Sequence, residues 1–198
     1  MNRLTIGVGL LLLGLAACDS APADNASADN SAVPANASAP AASAAAPAPA
    51  SAPAIVLEGA GLRIPSASPP RTLALEMPRS ETIEALTKAL GRAPNETGEN
   101  EECGGGGGMQ FAEWKDDLTV WFEEGRFAGW DSKGKLKTIE GVGIGSSRAD
   151  VASLPGFEVE ESTLGIEFRA GGLSGILASK APDAKVTALW GGATCVFR

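Results

Sequence analysis

Apolar side chains fall on alternate positions at Leu118, Val120 and Phe122, and the pattern resumes with Phe127 after the reversal Glu123-Glu124-Gly125. Period two marks a strand with one buried face, and a glycine at the reversal marks a hairpin turn that needs positive φ. The same design returns at Leu164, Ile166 and Phe168, followed by Gly171 and Leu173. Residues 118–130 and 164–176 share L-x-[VI]-x-F-x-x-G-x-[FL]-x-G-apolar without a gap, so a duplicated unit is expected. A further strand follows each hairpin, at 135–141 and at 185–191.

Helical spacing replaces period two upstream of each hairpin. Ser80 is a candidate N-cap, Ile83, Leu86 and Leu90 recur at helical intervals, Glu84 can pair with Lys88, and Gly91 stands at the stop. Ser147-Arg-Ala-Asp150 reads as a capping box, with Val151 and Leu154 on the buried stripe and Pro155-Gly156 at the end. Strands at 72–77 and 139–144 precede the two helices. The expected fold is α+β, a duplicated helix plus antiparallel-hairpin unit over residues 72–141 and 142–198. Both helices would lie on one face of a single antiparallel sheet.

The N-terminus follows another pattern. Arg3 precedes an unbroken apolar and small stretch that ends in Leu15-Ala16-Ala17-Cys18. A basic start, a short apolar segment and small residues at a cleavage point form a secretory signal peptide, here residues 1–17. A membrane span needs about 20 apolar residues, more than this stretch supplies. The terminal cysteine resembles the lipobox of bacterial lipoproteins. That resemblance implies that Cys18 is diacylated on sulfur, becomes the first mature residue and anchors the chain on the periplasmic side of a membrane. Asp19 resembles an inner-membrane retention signal of enteric bacteria, and the choice between inner and outer membrane stays open. After Cys18, residues 19–54 are almost wholly Ala, Pro, Ser, Asn and Asp, with Val33 as the large aliphatic exception. Such a segment buries too little apolar surface to offset its ordering entropy and reads as a tether, with a coil span of roughly 33 Å. A globular domain over 55–198 is the right size for one core.

Composition then narrows the chemistry. The chain carries 16 basic and 24 acidic residues, net −8, and loss of Arg3 with the signal leaves 15 against 24, net −9. Phosphates are repelled, which argues against nucleic-acid partners and against electrostatic adhesion to anionic lipid head groups, so acyl chains and not a basic patch are expected to hold the chain to the bilayer. Two cysteines, Cys103 and Cys195, remain once Cys18 is acylated. In an oxidising compartment they are most simply a disulfide; a metal site competes poorly, because the chain has no histidine and no Cys-x-x-Cys.

The repeat plan of residues 72–198 resembles proteins of the β-lactamase-inhibitor-protein type and, more loosely, outer-membrane-assembly lipoproteins of the SmpA type. Three stretches are more specifically similar to an uncharacterised family of alphaproteobacterial lipoproteins. They are Glu102-Cys103-Gly through Trp114, Gly125-Arg-Phe-Ala-Gly-Trp130, and the ending Gly192-Ala-Thr-Cys195-Val-Phe-Arg198. Some members of that family carry an inherited name, aspartate-semialdehyde dehydrogenase. That activity requires a thiolate with a histidine partner and a nucleotide-binding fold, and a chain without histidine cannot supply the pair.

Other catalytic arrangements fare no better. Ser-His-Asp and Cys-His catalysis both need the missing imidazole. Gly141-Val-Gly143-Ile-Gly145 lacks the later glycine and acidic residue of a dinucleotide site, and Gly104–Gly108 lacks the Lys-Ser/Thr of a P-loop. Asp116-Asp117, Glu123-Glu124 and Glu160-Glu161 are adjacent pairs, whose members point to opposite faces of a strand. Glu96, Glu99, Glu101 and Glu102 lack the ligand spacing of a calcium loop. No cofactor and no metal are expected. With Leu118, Val120 and Phe122 turned to the core, Thr119 and Trp121 face away from it and form the candidate binding surface, for an envelope protein or glycan. The competing reading is that Trp114 or the loop at Gly104–Gly108 folds over Trp121. The expected role is that of a non-enzymatic, lipid-anchored binding protein. An enzyme of unrecognised mechanism and a structural envelope spacer are the alternatives.

Overall fold

The structure, a computed structural model, describes residues 52–104 and 107–195. All lie within the second of the two units into which the chain divides, Ala48–Arg198. The signal segment, Cys18 and nearly all of the tether fall outside the described residues.

Three short strands, β1 (Val56–Glu58), β2 (Gly61–Ile64) and β3 (Arg71–Ala74), lead into helix α1 (Arg79–Leu90). Four strands follow: β4 (Glu96–Asn100), β5 (Met109–Trp114), β6 (Leu118–Glu123) and β7 (Arg126–Ser132). Then come β8 (Lys137–Thr138), the short helix α2 (Arg148–Ala152), and β9 (Glu158–Ser162), β10 (Gly165–Ala170), β11 (Leu173–Leu177) and β12 (Val186–Gly192). They form an eight-stranded antiparallel sheet, β4-β5-β6-β7-β12-β11-β10-β9, and a four-stranded sheet, β3-β2-β1-β8, in which β8 runs parallel to β1.

This corrects the α+β expectation of helices covering a single sheet. The domain is mainly β, with two sheets and, among the described residues, two helices of 12 and 5 residues. The physical reason is a second source of apolar surface. Ile55, Leu57, Leu62, Ile64 and Leu73 bring the small sheet into the same apolar cluster as Leu86 and Val151 of the helices and Trp114, Val120, Phe122, Phe127, Trp130, Phe168 and Leu189 of the large sheet. Trp130 ties the two sheets polarly as well, its buried Nε1 donating to Glu58 O at 3.0 Å. Such a donor would be costly to bury unpaired.

The helices begin differently from one another. Pro78, not Ser80, is the N-cap of α1 and gives no side-chain cap, whereas Gly91 closes the helix in the left-handed conformation at φ 69°. At α2 the capping box forms, Ser147 Oγ accepting from Asp150 N while Asp150 Oδ2 accepts from Ser147 N. The hydrogen bond from Ser147 N, and after it that from Ser147 Oγ to the same Oδ2, hold the Asp150 carboxyl below its ordinary pKa. The strand expected at 139–144 is instead a turn. The third strand expected at 135–141 shrinks to β8, which leaves the large sheet for β1.

One hydrogen-bond scheme occurs twice. Ahead of α1, Glu76 N donates to Phe127 O and Phe127 N to Met77 O; ahead of α2, Gly145 N donates to Val186 O and Val186 N to Ser146 O. Each helix thus starts from the head of β7 or β12, and those two strands pair with each other at Asp131↔Trp190. The equivalence carries β4–β7 onto β9–β12, so β6 corresponds to β11. The residue pattern had matched β6 with β10. Those two strands begin similar two-residue turns, with positive φ at Glu124-Gly125 and Gly171-Gly172, at different places in the sheet.

Candidate functional site

Residues directly opposite in an antiparallel pair share a face. Thr119 lies opposite Asp131, Asp131 opposite Trp190, and Trp190 opposite Ser174; Trp121 lies opposite Gly129. These residues form the outer face of the central strands, away from the core. A register shift between Trp121 and Phe122 sets this arrangement, because it turns Trp130 inward and Asp131 outward.

Trp121 is half-buried on that face. Its Nε1 donates to Asp131 Oδ2 at 2.7 Å, and its ring packs on Phe111 at 5.6 Å between centroids. Asp131 Oδ1 pairs with Lys133 Nζ at 2.9 Å. The indole is therefore held in one orientation beside a carboxylate–ammonium pair. A groove of about 380 Å³ runs from it, lined among others by Lys133, Ile176, Thr187, Trp190 and Cys195. Ser132, which ends β7, lies opposite core Leu118 and so turns its hydroxyl to the inner face, away from Trp121.

One wall is the chain after β12. Ala193 N donates to Ala128 O at 2.9 Å, and a Cβ at Gly129 would meet Ala193 O at 2.2 Å. Glycine at 129 is what lets this strap lie flat on the sheet beside Trp121. A Cys103–Cys195 disulfide, with Cα atoms 5.3 Å apart, ties the strap to the β4–β5 connection, and Asn100 Nδ2 donates to Cys195 Sγ at 3.5 Å.

Thr119 shares the face but is 3% exposed and offers nothing to a partner. Trp114 is not a cover for Trp121: it is buried in the core, with Nε1 donating to Arg92 O. Gly104 lies against Met109 instead. Asp131 and Trp190 join Trp121 without having been singled out by the sequence. Projecting the hairpin register through Gly125 would have found them only with the register shift known.

The paired carboxylates do not converge. Asp117 binds Arg92 at 2.6 Å, Glu160 binds Arg169 at 3.4 Å and Glu161 binds Lys180 at 2.5 Å, while Asp116 and Glu124 occupy positive-φ turn positions. In the Gly141–Gly145 turn the Val142 and Gly143 amides donate to Thr138 Oγ1 and Ser146 Oγ, so they do not present themselves to a phosphate. Among the described residues no group of three or more His, Cys, Asp or Glu is placed to hold a metal ion.

No family model matches this chain, and no curated protein matches it. Among solved structures it is similar to the uncharacterized protein YfeY from Escherichia coli, at 15% identity and a TM-score of 0.41, over 55% of this chain and 86% of that one. So loose a likeness transfers neither fold nor role.

Proposed function

We propose that this chain is a lipid-anchored protein of the bacterial envelope that works by binding, with the outer-face groove beside Trp121 as its recognition surface. The observation that carries the reading is the fixed indole: Trp121 is held by Asp131 at 2.7 Å and stands half-open at the groove. A rigid aromatic beside a neutral Asp–Lys pair suits a protein loop or a glycan, both of which combine apolar faces with hydrogen-bonding groups.

The supporting features agree on the setting. The lipobox-like ending at Cys18 supports the anchor, and the Cys103–Cys195 disulfide suits an oxidising compartment. Absence of histidine from the chain and the separate pairing of its carboxylates support binding rather than catalysis. A photo-reactive amino acid at Thr187, an exposed residue on the groove's rim, tests the reading in native envelopes, with the same group at Lys88 on α1 as the control. A discrete crosslinked product from Thr187 and none from Lys88 is expected. Equal or absent crosslinking at both positions would remove the groove from consideration and leave the spacer role.

A further inference from the structure

The connection from β7 through β8 carries an exposed pattern that neither the core nor the groove accounts for. Leu136 packs against the core and Thr138 is buried, its Oγ1 accepting from Val142 N at 3.2 Å. Beyond Lys133 of the groove, the alternate positions Lys135, Lys137 and Ile139 are all exposed. Ile139 is 73% exposed, the sole large apolar side chain so displayed among the described residues. Its position is built in: Gly141 N donates to Thr138 O and Thr138 N to Val142 O, closing the turn that carries it. Lys185, also exposed, stands just before β12 opposite Ser147, on the same Gly143–Ser147 segment that Lys137 bridges at Gly143.

The row runs against the charge of a chain with net −8. Its counter-charges are Glu140 at the tip and Asp150, already engaged by the Ser147 cap. Lys135, Lys137 and Lys185 form no salt bridge among the described residues. Lysines are depleted at protein–protein contacts, whereas a lysine row beside one protruding aliphatic side chain is the composition of an interfacial membrane contact.

We propose that this strip seats the domain on an anionic phospholipid surface, with Lys135, Lys137 and Lys185 on lipid phosphates and Ile139 in the headgroup layer. The proposal rests on the lipid-anchored reading. A tether of residues 19–54 keeps the domain close to the bilayer, so a contact too weak to recruit a free protein of this net charge suffices to orient a tethered one. Salt should weaken it, because exposed charges are screened within about 10 Å at 0.1 M.

The test supplies the tether chemically, so it is independent of whether cells acylate Cys18. The full chain, with Cys103–Cys195 oxidised, is coupled through the Cys18 thiol to maleimide-bearing lipid in vesicles. The vesicles are either phosphatidylcholine alone or an equal mixture with phosphatidylglycerol. Lysine acetylation by an amine-reactive ester is then followed residue by residue by mass spectrometry. On anionic vesicles Lys135, Lys137 and Lys185 should react at least about threefold more slowly than on zwitterionic ones. Exposed Lys88 and Lys115 should not change, and 0.5 M salt should abolish the difference. Ile139→Asp, at a site open enough to leave the fold alone, should reduce the protection. Equal rates for all five lysines on both vesicles would overturn the proposal. So would equal protection by soluble glycerol phosphate without anionic vesicles, which would assign the strip to a free anion.

Discussion

Gly129→Ala probes the strap that walls the groove. An added Cβ would lie 2.2 Å from Ala193 O and 2.7 Å from Ala193 N and C, against 3.4 Å or more for ordinary contact. The contacting atoms are backbone, so no side chain can rotate away, and the strap must lift by about 1 Å or more. Lifting it strains or breaks the Ala193 N–Ala128 O bond of 2.9 Å and pulls against the disulfide at Cys195. Overpacking of this kind costs about 1–3 kcal/mol and a lost hydrogen bond about 0.5–1.5, so a total near 2–4 kcal/mol is expected. The decisive assay is a double-mutant cycle in urea. In a Cys103→Ser/Cys195→Ser background the strap is free to move, and the Gly129→Ala penalty should shrink by about 1–2 kcal/mol. A penalty below about 0.5 kcal/mol in the oxidised protein, or one indifferent to the disulfide, would refute a pinned strap.

Other consequences follow from the same contacts. Removing the disulfide, which spans 92 residues of sequence, should lower stability by roughly 4–5 kcal/mol if chain entropy dominates, measured as the shift in urea midpoint between oxidised and reduced protein. Asp150 has a pKa below its ordinary 3.8, so its contribution is complete above that value and is lost as pH falls through the lowered one. Asp150→Asn should therefore lower stability at neutral pH and flatten the acid limb of the stability–pH curve, and an unchanged acid limb would count against the cap. Ser147→Ala, which removes the acceptor for Asp150 N, should cost about 1 kcal/mol in thermal unfolding.

Local signals in the chain were readable where one residue type answers one geometric need. Gly125 and Gly171 do supply positive φ in the two hairpin turns, Gly91 does end α1, and Ser147 with Asp150 does make the capping box. What escaped the pattern was long-range. Ile55-Val56-Leu57 has no alternation, because all three side chains are buried, so β1 left no period-two trace. The edge strands β4 and β9 read Glu-Thr-Gly-Glu-Asn and Glu-Val-Glu-Glu-Ser. Charge at a sheet edge discourages pairing with other chains, and it hides such strands from any search for hydrophobic periodicity. The register shift at Trp121/Phe122 has no sequence mark at all, yet it places Asp131 beside Trp121 and sends Trp130 to the core. The candidate site was thus legible as one tryptophan, and its partners were not.

Trp121→Ala tests the recognition surface most directly, read as crosslinking from Thr187 in native envelopes alongside thermal unfolding of the same variant. The ring is half-buried and bonded to Asp131, so folding should survive with a loss of about 1–3 kcal/mol. An anchor residue contributes about 2 kcal/mol or more to an interface, so the crosslinked product should fall roughly thirtyfold. A folded Trp121→Ala protein that crosslinks as well as the parent would contradict the groove's role as a binding surface.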